Sequence, residues 1–311
     1  MAFTISQIAA ASYPAVLAEK KKPANQWAES AFMDALERMG AIKRESLGPT
    51  IEAPIDWQRN PGTDFLATDM TGTSTSKTEV INTASYAVAE LSVPVVWSKG
   101  DDAKNPSENQ KIAFVKALLS NAIESHDDAI EEALFTTSTD GFLGLATIVP
   151  DSGLGSPGGI SATTEVMWRN FTDSYTDESD IEAFMTEAWN TAAKGTGAQL
   201  TPKLLVSGAE AQALFESTQQ AQQRWGAGEG LNAGFKTLKF KSSDYVFSQY
   251  GDDHIYFLNP RSFKLVVSKQ YFRDKGETQE LQGANGFIFK LYSALQSVTN
   301  NKSRLAVIQQ T

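Results

Sequence analysis

The chain has no cysteine and only two histidines, His126 and His254, among 311 residues. The first absence excludes disulfides, a thiolate nucleophile and any Cys-ligated metal, and it fits a reducing compartment. The second nearly excludes a multi-histidine metal centre. No run approaches 18 uninterrupted apolar residues, so no transmembrane helix is expected. The opening stretch MAFTISQIAAASYPAVLAEKKK carries its lysines after the apolar residues, the reverse of a secretory signal. Basic residues are the minority: 27 Lys and Arg against 37 Asp and Glu give a net charge of −10. That disfavours binding nucleic acid through the whole surface and leaves room only for a local basic patch. The Gly-rich run Gly153 to Gly159 lacks the Gly-Lys-Ser/Thr ending of a phosphate loop and the spacing of a dinucleotide fingerprint, so a mobile surface loop is expected there.

What is present starts with Ser107 to Phe135, the longest helical pattern. Ile112, Val115, Leu119, Ala122, Ile123, His126, Ile130, Ala133 and Leu134 recur at three- and four-residue steps and put one apolar stripe on one face. Pro106, then Ser107 with Gln110 three residues on, spell a capping box. The helix would span about 40 Å, a spine for a domain. With 41% hydrophobic residues the chain can build a sizeable core around it.

Before the spine, the segment to Leu47 holds two short helical stretches separated by Lys20 to Pro23. The first is interrupted by Pro14. The second carries Trp27, Ala31, Met33, Leu36 and Met39 and closes at Gly40. Neither stands alone, so this arm should lie against another surface. From Gly48 to Trp97 the chain reads as extended. Tyr86 to Trp97 puts Ala87, Ala89, Leu91, Val93, Val95 and Trp97 on one side, a half-buried strand in which Pro94 favours an edge. Asn60 to Thr78, rich in Gly, Thr and Ser, is a hairpin tip with Phe65, Leu66 and Met70 set in it. A long two-stranded ribbon is only marginally stable, and the surface it needs is a neighbouring subunit.

Beyond the spine, FLGLATIV at Phe142 reads as a strand. Helices follow at Asp180 to Lys194, opened by Ser179 and Glu182 and ended by Gly195, and at Ser207 to Trp225, opened by Ser207 and Glu210. Strands are expected at Leu204 to Val206, Phe235 to Phe240, Tyr245 to Phe247, Ile255 to Leu258, Phe263 to Val267, Phe287 to Val298 and Arg304 to Ile308, the last two joined as a terminal hairpin by Asn300 to Lys302. The class is α+β.

Chemistry-bearing clusters are few. His126 lies in the apolar stripe and is expected to be packed with one hydrogen-bond partner. His126, Asp127 and Asp128 point about 100° apart on a helix and cannot converge on a metal. Asp252, Asp253 and His254 read as a polar turn. Glu131 and Glu132 diverge on the helix and read as its solvated face. No cofactor or metal is expected, and no catalytic residue stands out. An α+β carbohydrate-active enzyme is the competing class, to be distinguished by a monomeric state and a ligand pocket.

The order of arm, long hairpin, spine helix, Phe142-Leu143-Gly144-Leu145, variable loop, Gly158-Gly159-Ile160 and Met167-Trp168-Arg169-Asn170 resembles tailed-bacteriophage major capsid proteins with the Hong Kong 97-like coat fold. Ile255-Tyr256-Phe257-Leu258-Asn259-Pro260 before an apolar strand is similar to the same family. The resemblance implies an N-terminal arm (1–47) and an E-loop hairpin (48–98). It implies a peripheral domain (99–137 and 268–311) carrying the spine helix (107–135), and an axial domain (138–267). It further implies a non-enzymatic subunit that assembles with itself as pentamers and hexamers into an icosahedral shell around double-stranded DNA. The virion would be its location and the bacterial cytoplasm its place of assembly, without sequence-specific DNA binding and without membrane. A portal, and separate scaffolding or decoration proteins, would be the partners, since the residues before the hairpin leave no room for a large scaffolding segment. Phe65, Leu66, Met70 and Lys77 at the E-loop tip would contact neighbouring subunits. The pattern departs from the family where Met167 stands in place of a second tryptophan, and the founding member's cross-link residues find no match here; Lys77 reads as a solvated lysine. A cellular encapsulating compartment of the same fold is the alternative.

Overall fold

The computed structural model describes residues 5–20, 30–56, 81–105, 107–176, 178–193, 201–223 and 238–310. Two helices come first, α1 (Ile5–Lys20) and α2 (Ala31–Arg38). α1 runs through Pro14 instead of stopping there. An internal proline costs about 3 kcal/mol, and the burial of Ile5, Ile8, Ala9, Tyr13 and Val16 against spine residues Val115, Leu119, Ala122 and Ile123 offsets it. α2 starts on Ser30, whose hydroxyl accepts from Met33 N–H at 3.0 Å. It ends as Gly40 predicts: Gly40 lies at φ +68°, and Ala41 N–H reaches back to the Leu36 carbonyl at 2.9 Å, a Schellman closure. Trp27 lies outside the described residues.

A strand not expected in the arm, β1 (Ile42–Glu45), precedes the extended stretch, whose described residues form β2 (Thr50–Asp56), β3 (Ile81–Ala87) and β4 (Ala89–Ser98). The expected single strand from Tyr86 to Trp97 is broken at Val88, and the alternation slips by one residue. In β3 Ala84 and Tyr86 are buried and Ala87 is exposed, whereas in β4 Ala89, Val95 and Trp97 face inward. The cause is a change of partner, because β3 pairs with β2 while β4 pairs with a distant strand. A short helix α3 (Lys99–Lys104) leads to the spine, α4 (Glu108–Phe135). Its capping box forms: Ser107 Oγ accepts from Gln110 N–H at 3.2 Å and Gln110 Oε1 from Ser107 N–H at 3.4 Å. The stripe is buried from Val115 to Leu134, while Ile112 stays exposed because apolar burial begins a turn later.

After the spine, β5 (Ser138–Thr139) and β6 (Phe142–Leu143) flank Asp140 and Gly141, both at positive φ as a two-residue hairpin turn requires. The expected strand FLGLATIV ends at Leu143, and Leu145–Ile148 is a helix, α5. Gly144 decides this: a Cβ there would sit 1.5 Å from the Thr136 carbonyl oxygen, so only glycine lets the chain turn against the end of α4.

The remaining elements are β7 (Phe171–Tyr175), α6 (Ile181–Ala192), β8 (Leu204–Ser207), α7 (Ala209–Gln223), β9 (Leu238–Phe240), β10 (Ser243–Phe247), β11 (Ile255–Leu258), β12 (Phe263–Ser268), β13 (Asp274–Lys275), β14 (Gln279–Glu280), β15 (Gly286–Thr299) and β16 (Ala306–Gln310). Neither expected capping box opens α6 or α7. A 3₁₀ turn at Glu178–Asp180 occupies Ser179, and Ser207 ends β8 with its hydroxyl on Tyr245 at 2.8 Å. Gly195 and Trp225 lie outside the described residues.

Two six-stranded sheets result. In the first, β15 is the axis: β4 lies antiparallel along one side, and β12, β13 and β14 share the other, with β1 parallel to β12 beyond. Among the described residues β4 pairs only with β15, so Pro94 sits at the edge it calls for. The second sheet runs β7-β16-β11-β8-β10-β9. β15 and β16 are therefore not a hairpin. β15 already has neighbours on both sides, and the chain crosses through a 3₁₀ turn at Lys302–Arg304 to place β16 between β7 and β11. A shared core of Phe32, Leu36, Ile130, Leu134, Leu204, Val206, Leu265 and Leu295 joins the sheets through α2 and the second half of α4.

Candidate functional site

The hairpin β2–β3 is a two-stranded sheet of its own, paired from Thr50↔Ala87 to Asp56↔Ile81. Its root is buried. Ile51, Ala53, Ile55, Ala84 and Tyr86 pack on Ile160, Ala162, Trp168, Val266 and Val298. Tyr86 hydroxyl donates to the Thr299 carbonyl at 2.8 Å and accepts from Thr299 N–H at 3.3 Å, which ties β3 to the end of β15. Burial pushes the Tyr86 phenol far above its ordinary range.

The Gly-rich loop expected to be mobile is instead packed against this root. Gly158 lies at φ +68°, and a Cβ there would come within 2.6 Å of Ala84 Cβ and 2.9 Å of the Tyr86 ring. Trp168, 1% exposed, donates its indole N–H to the Pro157 carbonyl at 3.3 Å. Arg169 Nε donates to the Ala162 carbonyl at 2.7 Å, and Asn170 Nδ2 to the Pro150 carbonyl at 2.9 Å. Lys302 is fully buried and donates to the Leu154 carbonyl at 2.5 Å, and its burial lowers the ammonium pKa to about 8. The sequence Met167-Trp168-Arg169-Asn170 thus works as a clamp that closes the loop over the hairpin root. Met167 itself is exposed, so its departure from tryptophan leaves the clamp intact. The sequence displays these residues but not this role; the Gly158-Gly159 pair ahead of Trp168 is the signal it offers.

The tip residues Phe65, Leu66, Met70 and Lys77 lie outside the described residues.

On the spine, His126 is fully buried and has two partners rather than one: Nε2 meets Ser293 Oγ at 2.7 Å and Nδ1 meets Asp127 Oδ1 at 3.0 Å. Asp127 also pairs with Arg273, and Arg273 N–H donates to Ser293 Oγ at 2.7 Å. Tyr13 hydroxyl donates to the Arg273 carbonyl, so this polar knot links α1, α4 and β15. Burial lowers the His126 pKa, and Asp127 opposes that shift only in part. Glu131 departs from the expected solvated face: it is 6% exposed and accepts from Ser248 Oγ at 2.5 Å, while Glu132 remains exposed. Asp252 to His254 form the polar turn before β11, with His254 Nδ1 2.8 Å from Asp252 Oδ1 and Nε2 3.5 Å from Asp151 Oδ2. Among the described residues no three His, Asp or Glu side chains are grouped so as to hold a metal.

A cleft of about 370 Å³ runs along the C-terminal half of the spine, walled by Leu91, Ile130, Ala133, Phe142 and Leu295. Its carboxylates, Glu90, Glu132 and Asp140, share the lining with Thr136 and Thr139 and with no histidine. What the geometry displays is a way of presenting surfaces: a spine helix, two six-stranded sheets, and a hairpin anchored at its root and paired with no third strand among the described residues.

This combination is the Hong Kong 97-like coat-protein fold. Solved structures superpose on almost the whole chain. The capsid asymmetric unit of cyanophage A-1(L) aligns with a TM-score of 0.64 at 14% identity, covering 87% of this chain and 90% of that one. The capsid of a native GTA particle gives 0.60 at 11% identity, covering 89% of both. The holo-SrpI encapsulin complex from Synechococcus elongatus PCC 7942 gives 0.54 at 11% identity, covering 88% of this chain and 86% of that one. Compared as sequence, the chain matches no family model and no curated protein.

Proposed function

We propose that this chain is a major capsid protein that assembles with itself, as pentamers and hexamers, into an icosahedral shell around phage double-stranded DNA. The observation that carries the reading is the hairpin: a ribbon of two strands, buried at its root and paired with no third strand among the described residues, needs a second surface. Symmetry-related copies supply it, and modest contacts repeated around closed symmetry add up to a stable shell. Phe65, Leu66, Met70 and Lys77 at the tip are the residues assigned to that contact. In this reading the peripheral domain (99–137 and 268–311) is built on α4, and the axial domain (138–267) carries α6 and α7. The net charge of −10 keeps free subunits soluble and leaves packaged DNA unglued to the wall. The subunit is structural rather than enzymatic, resides in the virion after assembly in the host cytoplasm, and works with a portal and separate scaffolding or decoration proteins. The capsid structures that superpose on the chain support this reading through their fold.

The encapsulin alignment supports a second reading, a cellular compartment built from the same fold. The two part on contents. Light scattering and negative-stain imaging of the full-length protein should show closed particles of megadalton mass or discrete pentamers and hexamers. Nucleic acid in particles from the native source supports the phage reading, and a protein cargo the cellular one. Deleting Asn60 to Thr78 should leave a folded subunit unable to close a shell. Normal particles from that deletion, or a strict monomer even when co-expressed with neighbouring genes, would sink the proposal.

A further inference from the structure

At the foot of the hairpin, β2 and the sheet face formed by β1, β12 and the end of β15 enclose a cleft of about 240 Å³. β1 and β12 run parallel with Lys43 beside Val266, so Lys43 and Lys264 share the face that looks toward the hairpin. Leu265 and Val267 turn the other way into the main core. The turn before β12 contributes Arg261 and Ser262, and the end of β15 contributes Asn300. Backbone bonds fix this turn. Ser262 N–H donates to the Asn259 carbonyl at 2.8 Å, Arg261 N–H to Asn259 Oδ1 at 3.0 Å, and Asn300 N–H to the Ser262 carbonyl at 3.1 Å.

Two independent features call for an anion here. Ser262 is 1% exposed, lines the cleft, and its hydroxyl has no hydrogen-bond partner among the described residues, a costly state for a buried polar group. Arg261 and Lys264 make no ion pair with a carboxylate among the described residues, although the chain carries ten more acidic than basic side chains. Two acids also line the cleft: Glu45 pairs with Lys43 at 2.5 Å, and Glu52 is exposed, so Lys43, Arg261 and Lys264 face two carboxylates and leave the lining net positive.

We propose that this cleft binds a phosphate-class oxyanion, held by Arg261 and Lys264 with the Ser262 hydroxyl and the Asn300 side-chain amide as neutral donors. A guanidinium offers a planar fork that matches two phosphate oxygens, and an ammonium adds a point charge. The four groups together meet the several acceptor sites of a tetrahedral anion better than those of a single carbonyl. Ile51 and Ala53 of β2 line the same cleft as Val266 and Val298 of the sheet, so a bound anion bridges hairpin and sheet and stiffens the hairpin root. The anion can be free phosphate or a phosphate of a nucleic-acid backbone.

The test uses the full-length protein. Thermal unfolding is followed in rising inorganic phosphate with ionic strength held constant by chloride, and in parallel with a short DNA duplex at matched phosphate content. A ligand that binds only the folded state raises the midpoint with concentration. Wild type should show this rise. Arg261→Gln/Lys264→Gln and, separately, Ser262→Ala should keep their midpoint in chloride and bind phosphate at least about tenfold more weakly. A response to phosphate alone identifies the free anion, and a duplex response with the same dependence on the variants identifies the backbone. If the double variant fails to fold, Lys264→Gln alone with phosphorus-NMR line broadening makes the same comparison. No rise beyond chloride, or an equal rise in wild type and variants, overturns the proposal.

Discussion

Replacing Tyr86 by phenylalanine should loosen the hairpin root while the subunit stays folded. The ring remains, so its packing on Gly158, Val266 and Val298 is kept. What disappears is the hydroxyl, which serves the Thr299 carbonyl at 2.8 Å and the Thr299 N–H at 3.3 Å. Thr299 is itself fully buried, so water cannot replace the lost partner without opening the structure. A buried backbone group left unpaired costs about 1–3 kcal/mol. Taking about 2 kcal/mol, the equilibrium between docked and undocked root shifts about thirtyfold. The assay is hydrogen exchange on the unassembled subunit, read at the amides of β2 and β3 against those of α4 and β11 as an internal reference. Exchange in the hairpin should accelerate by about that factor while the core amides keep their protection. Unchanged hairpin exchange would refute the idea that this hydroxyl holds the root. Equal acceleration everywhere would show that the hairpin opens only with global unfolding.

Gly158→Ala should act on the same root by a different route, overpacking against Ala84 and Tyr86 at a positive φ; about 1–3 kcal/mol of destabilisation is expected, measured by urea unfolding. Trp168→Ala empties the centre of the clamp and should cost about 3–5 kcal/mol in the same measurement, and a loss below about 1 kcal/mol would remove Trp168 from its role. The chain has only two histidines, so an NMR titration of the unassembled subunit reads both imidazoles, with His126→Gln assigning them. Buried His126 should titrate below 6.5; its contribution to stability is complete above that unfolded value and falls as pH drops toward the folded one. His254, paired with Asp252, should titrate above 6.5, its contribution complete below 6.5 and lost as pH rises through the folded value. The reverse order would contradict the burial and pairing described for the two sites.

Much of the local architecture was legible in the residues. The spine helix with its Ser107–Gln110 box, the Gly40 closure of α2 and the inward side of β4 are each decided by side chains within a few positions of one another. The errors share a cause as well. The two boxes read at Ser179 and Ser207 had the right residue types at the right spacing, yet the chain enters α6 through a 3₁₀ turn and Ser207 is drawn to Tyr245. The strand expected across Val88 had the inward side of β4 right and that of β3 wrong: Ala87, expected inward, is exposed and Tyr86 is buried, because β3 pairs with β2 and β4 with β15.

The sequence by itself determined most of the element types, the long spine and, through the order of elements and short motifs, the coat-protein fold. Only the tertiary structure decided that β15 and β16 belong to different sheets, that the glycine loop seals the hairpin root, that Glu131 and Lys302 are buried, and that Lys43, Arg261, Ser262 and Lys264 gather around one cleft. The reason is distance along the chain. Caps and periodicities act over three or four residues, whereas the Tyr86–Thr299 bond joins positions 213 residues apart, and such a pairing is fixed by which surfaces remain uncovered once the nearer elements have packed.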